Sequence, residues 1–78
     1  MSPDRLVYMA NQIGTYFASQ HGTDPAVGIT DHLRKFWDPR MRKEIIAHAG
    51  RGGEGLDPVV LRAVRTLGNS LPPAREGG

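Results

Sequence analysis

Four times in this chain an oxygen-bearing side chain stands directly before a proline: Ser2-Pro3, Asp24-Pro25, Asp38-Pro39 and Asp57-Pro58. Each pair is a helix-start signal with a physical basis. The serine or aspartate oxygen accepts from amides that a first helical turn leaves unpaired, and proline at the next position has the right φ and no N–H to strand. Proline also drives the residue before it out of the helical region, so each pair ends one element as it begins another. No segment shows the sustained apolar–polar alternation of a strand. The pattern predicts an all-α protein, a small bundle of three to four short helices.

The first helix is expected from Pro3 to Ser19, because Leu6, Met9, Ala10, Ile13 and Phe17 recur at the spacing of one helical face. His21-Gly22 supplies its stop. The second, Pro25 to Phe36, places Ile29, Leu33 and Phe36 on an apolar stripe and Asp31, His32 and Lys35 on the other side, with Gly28 weakening it slightly. The third begins at Pro39 and turns Met41, Ile45 and Ala49 inward. Its first turn carries Arg40, Arg42 and Lys43, where the helix dipole disfavours positive charge, so those bases point to a purpose other than helix stability. Gly50-Arg51-Gly52-Gly53-Glu54-Gly55 reads as a helix stop and a flexible loop. Val60, Leu61, Val64 and Leu67 remain for a short fourth helix, and the pattern ends after Gly68. The chain thus divides into a helical domain over 1–68 and a Gly- and Pro-containing tail over 69–78, expected to be mobile.

A chain of 78 residues allows one domain with a modest core. Domains of that size gain further support from disulfides, a metal or association. The sequence has no cysteine, which excludes disulfides and thiolate zinc sites, makes support from a partner a fair expectation, and fits a reducing compartment. No apolar run reaches the length of a bilayer, and Met1-Ser2-Pro3-Asp4 has neither the start of a secretory signal nor the glycine that myristoylation needs. Net charge is +2, from ten basic residues, eight of them arginine, against eight acidic ones. That balance is too mild to announce a nucleic-acid partner.

Patterns that would carry catalysis are missing. His21, His32 and His48 lack the i, i+3 or i+4 spacing that lets one helix face hold a metal, and cap or surface roles suit them better. Ser2, Ser19 and Ser70 fall near the ends of elements, outside any nucleophile-elbow pattern. The glycines from 50 to 55 follow no strand and precede no Lys-Ser or Lys-Thr, so they make a loop and not a phosphate cradle.

Two constellations stand out instead. Positions 6 to 20 contain no ionisable group except tyrosine, although a surface helix normally carries charge. The polar side of that helix is Tyr8, Asn11, Gln12, Thr15 and Ser19, groups that meet hydrogen-bond partners without the desolvation cost of a charge. Such a face resembles the core of a protein interface, and Ala10, Gly14 and Ala18 add a small-residue groove for a second backbone. The plain alternative is that this helix is the centre of a self-contained bundle. The second constellation is Arg34-Lys35-Phe36-Trp37-Asp38-Pro39-Arg40-Met41-Arg42-Lys43, an aromatic pair at a tight helix-to-helix corner between basic residues. Trp and Arg are enriched in binding hot spots, while Phe36 and Trp37 read equally well as ordinary core residues. The same corner admits a rival reading as a helix-turn-helix that binds nucleic acid, with Arg40, Arg42 and Lys43 at the start of the reading helix. Its turn is short for that motif, and Asp38 would face phosphates.

Met9-Ala10-Asn11-Gln12-Ile13, His32 to Arg42 and Gly55-Leu56-Asp57-Pro58 together resemble the delta subunits of NAD-dependent, molybdenum- or tungsten-containing formate dehydrogenases. The resemblance runs from about Pro3 to Leu67 and is most specific in Lys-Phe-Trp-Asp-Pro-Arg-Met-Arg. It implies a cytoplasmic complex in which the alpha subunit holds a bis-molybdopterin guanine dinucleotide centre and other subunits, beta and gamma, pass electrons through iron–sulfur clusters and FMN to NAD. It implies for this chain no catalysis and no cofactor of its own, but binding to the alpha subunit and help with cofactor insertion, maturation or stability. The docking residues expected on this reading are Tyr8, Asn11, Gln12 and Tyr16 of the first helix and Trp37, Arg40, Met41 and Arg42 of the corner. Neither nucleic acid nor membrane is an expected partner.

Overall fold

The computed structural model of the chain describes residues 2–20 and 22–70. Each of the four Ser-Pro or Asp-Pro pairs opens a helix: α1 (Pro3–Ala18), α2 (Pro25–Phe36), α3 (Pro39–Gly50) and α4 (Pro58–Ser70). The capping chemistry is visible atom by atom. Ser2 Oγ accepts from the Arg5 amide at 3.4 Å, Asp24 Oδ1 from Ala26 at 3.0 Å and Asp38 Oδ1 from Met41 at 2.9 Å. At the fourth start the Asp57 carbonyl accepts from the Leu61 amide at 2.8 Å. Among the described residues every regular element is a helix.

The ends differ slightly from expectation. α1 closes at Ala18 because the Ser19 hydroxyl donates to the Tyr16 carbonyl at 2.7 Å, a local bond that competes with helix continuation. Gly22 lies beyond that end, and His21 falls outside the described residues. α4 runs past Gly68 to Ser70, because its last turns lie against α3, where Gly68 meets Ile46. The tail beyond it, 71–78, is also outside the described residues.

α4 packs against α1, α2 and α3, most extensively against α2. Val60, Ala63, Val64 and Leu67 are fully buried there. Leu6 and Ala10 of α1, Ile29 and Leu33 of α2, and Ile45 and Ala49 of α3 complete the core. The small residues of α1 serve this packing: a Cβ at Gly14 would stand 2.4 Å from Val60 Cγ2, so α4 itself occupies the close approach that Ala10 and Gly14 permit. Ala18 is exposed and takes no part. Thr30 is the one buried polar side chain among the described residues, and its hydroxyl lies 2.9 Å from the Ala26 carbonyl and 3.0 Å from that of Ala63. That placement satisfies the group and ties α2 to α4.

Two expectations are corrected. Phe36 does not continue the inward stripe of Ile29 and Leu33; it is 72% exposed, and Trp37 is 5% exposed in its place. α2 stops at Phe36 and Trp37 adopts an extended conformation, φ −85° and ψ 138°, which turns the next side chain and not the last helical one toward the core. The glycine-rich segment is not a slack loop either. The amides of Gly52 and Gly53 donate back to Ala49 and His48, His48 Nε2 donates to the Glu54 carbonyl at 2.7 Å, and Asn11 of α1 holds the far end. Asn11 Nδ2 donates to the Gly55 carbonyl at 2.9 Å and its Oδ1 accepts from the Asp57 amide at 3.0 Å. Gly53, with φ +67°, is buried where a Cβ would strike Leu61.

Candidate protein-interaction surface

Three rows of side chains run along α1 at four-residue spacing. Leu6, Ala10 and Gly14 form the buried row. Met9, Ile13 and Phe17 form a half-buried row packed against the edge of the core. Tyr8, Gln12 and Tyr16 form an exposed row, with the tyrosines 63% and 60% accessible. Gln12 Nε2 donates to the Tyr8 phenol oxygen at 3.0 Å, which steadies both side chains one turn apart.

The half-buried row forms one wall of an open groove of about 710 Å³, whose other lining includes His32 of α2 and the edge of Trp37. An aromatic chain crosses it. The rings of Tyr16 and Phe17 meet edge-on at 5.0 Å, Phe17 and His32 at 6.2 Å, and His32 and Phe36 at 4.8 Å. Phe36, Tyr16 and Tyr8 therefore extend one apolar, aromatic surface across α1 and the end of α2. No Asp, Glu, Lys or Arg lines this groove. The nearest charges along α2, Asp31 and Lys35, form an ion pair with each other at 2.9 Å.

Of the residues expected to dock, Tyr8, Gln12 and Tyr16 come together on this surface. Asn11 turns aside to hold the 55–57 segment. Trp37 is a core residue with one edge on the groove, and Met41 is half-buried against the core. Arg42 folds back on the corner: its Nη1 donates to the Arg34 carbonyl at 3.0 Å and the Trp37 carbonyl at 2.6 Å. It thus satisfies carbonyls at the end of α2, and the corner's tryptophan and inner arginine hold the turn together. Arg40 stays exposed beside Lys43, away from the groove lining.

The groove residues Met9, Ile13, Phe17 and His32, and the neighbouring Phe36, are not among the docking residues expected from sequence. A signal for them exists: Met9, Ile13 and Phe17 form a second row beside Leu6 and Ala10, so the apolar arc of α1 is wider than its neighbours fully cover.

Electrostatics elsewhere is sparse. The Ala26 amide and then the Arg62 guanidinium hold the Asp24 carboxyl below its usual 3.8, joining the start of α2 to α4 through an ion pair at 3.2 Å. Among the described residues no group of three or more His, Asp or Glu is placed to hold a metal ion. None of their helices is long and apolar enough to cross a membrane.

Over the described residues the fold and this surface define a small four-helix protein with an uncharged aromatic face shared by α1 and α2. The family model of the NADH-dependent formate dehydrogenase delta subunit, FdsD, matches residues 5–64, from the first turn of α1 into α4. The chain belongs to that family, whose members are subunits of a formate dehydrogenase complex. No curated protein and no solved structure matches it.

Proposed function

We propose that this chain is a non-catalytic accessory subunit that binds the catalytic alpha subunit of an NAD-dependent formate dehydrogenase and supports its molybdenum-cofactor insertion, maturation or stability. The observation that carries the reading is the delta-subunit match over residues 5–64, which spans most of a four-helix domain bearing an uncharged aromatic face. Through the alpha subunit the chain also meets the beta and gamma subunits.

The α1–α2 groove does not fit the cofactors of such a complex. Iron–sulfur clusters are held by cysteine thiolates, and the sequence has none. Phosphate-bearing groups such as FMN or bis-molybdopterin guanine dinucleotide are held by cations or converging amides, and the lining of the α1–α2 groove offers no Lys or Arg. On this reading the redox groups lie in the partner subunits, and the delta chain acts by covering protein surface.

Deleting the chain and measuring metal-cofactor content and formate oxidation in the remaining complex tests the proposal. Loss of both marks a role in insertion or maturation. Full cofactor content with easier dissociation of the complex marks structural support. A complex unchanged in cofactor, activity and cohesion would reject the reading.

A further inference from the structure

We propose that the groove between α1 and α2 receives the uncharged, apolar stripe of one helix from another formate dehydrogenase subunit. This rests on the accessory-subunit reading and deepens it by naming the contact. Charge comes first. Residues 6 to 20 carry no ionisable group except tyrosine, and Asp31 and Lys35 already neutralise each other. A cation entering here would leave water without a counter-ion, and His32 at one end is the one lining group besides Tyr16 able to meet a charge, so the surface that matches Met9, Ile13 and Phe17 is uncharged.

Spacing points to a helix. Met9, Ile13 and Tyr16 line the groove at i, i+4 and i+7, about 10 Å or two helical turns along α1. A second helix laid beside α1 presents anchors at the same interval. Exposed Tyr and Phe beside a Met-lined groove are also the residue types that dominate the buried centres of interfaces. Hydrogen bonding narrows the rim. Tyr8's oxygen accepts from Gln12 Nε2, so its O–H remains to donate and Gln12 Oε1 to accept. An amide or hydroxyl flanking the partner's apolar stripe meets both demands. Membership of a family of subunits favours a different polypeptide over a second copy of this chain.

The test uses the full chain and a formate dehydrogenase complex produced without it. Affinity is measured for the wild type, for Tyr16→Asp combined with Phe36→Asp, and for Arg40→Glu combined with Lys43→Glu. Tyr16 and Phe36 are 60% and 72% exposed, so the double aspartate variant keeps its fold, verified by its circular dichroism melt. We expect the aspartate pair to weaken binding on the order of 100-fold, and the corner pair to change it by less than about fivefold. Affinity for the wild type should change little with salt. Unaltered binding by the aspartate pair would overturn the groove assignment and leave the accessory-subunit reading standing. Failure of the wild type to bind at all would remove both. A wild-type homodimer that the aspartates split, with binding to the complex unchanged, would identify a second copy as the occupant and overturn the proposal.

Discussion

α4 and α1 both carry apolar rows, yet they end in opposite circumstances. In α4, Val60, Ala63, Val64 and Leu67 have no contact with water. α1 spends one row on the core and leaves its other two half-buried or exposed, among them Tyr8 and Tyr16. The difference teaches that burial inside the chain does not exhaust its apolar surface. What α4 loses to the core stabilises the fold, whereas what α1 keeps outside is available to another protein.

The largest expected effect breaks this contrast if it is mistaken. Leu67→Ala should cost about 2–5 kcal/mol, most of the stability of so small a domain, while Tyr8→Ala should stay within about 0.5 kcal/mol. Urea unfolding of the two variants measures both, and similar losses would show that α1's outer face belongs to the folding core after all.

An intermediate effect sharpens the comparison at the one place where α1's polar face does serve the fold. Asn11→Ala should cost about 0.5–1.5 kcal/mol, because it releases the Gly55 carbonyl and the Asp57 amide to water. Hydrogen exchange at the Asp57 amide should quicken more than at amides within α2. Unchanged exchange would mean that the glycine-rich segment is held without Asn11.

The smallest effect concerns the tie between α2 and α4. Asp24's carboxyl is held below its usual value by the Ala26 amide and by Arg62. Its contribution is therefore fully present above the unfolded value near 3.8 and is lost as pH falls through the lower folded value. Asp24→Asn retains capping ability but not the charge. Its melting temperature should sit slightly below that of the wild type at neutral pH, and the gap should close in acid. A gap independent of pH would assign the difference to capping alone.

Helix starts were legible to the residue because they depend on contacts within four positions: Ser2 with Arg5, Asp24 with Ala26, Asp38 with Met41. The uncharged exposed row of Tyr8, Gln12 and Tyr16 was legible for the same reason, since helical spacing alone places it on one side. Asn11 falls on the same polar side by spacing, yet its partners are 44 and 46 positions away, a distance no local pattern reports. The flexible reading of residues 50 to 55 failed there too, because glycine content describes backbone freedom and says nothing of the side chains that arrive from α1 and α3 to restrain it.

By itself, then, the sequence determined the four helix starts and the absence of charged side chains from residue 6 to 20, all through interactions a few residues long. Only tertiary structure decided that Trp37 turns inward and Phe36 outward, that Arg42 closes the corner, and that an aromatic groove joins α1 to α2. Those outcomes depend on the angle at which the chain leaves α2 and on which rows α4 covers, and both follow from packing the helices together.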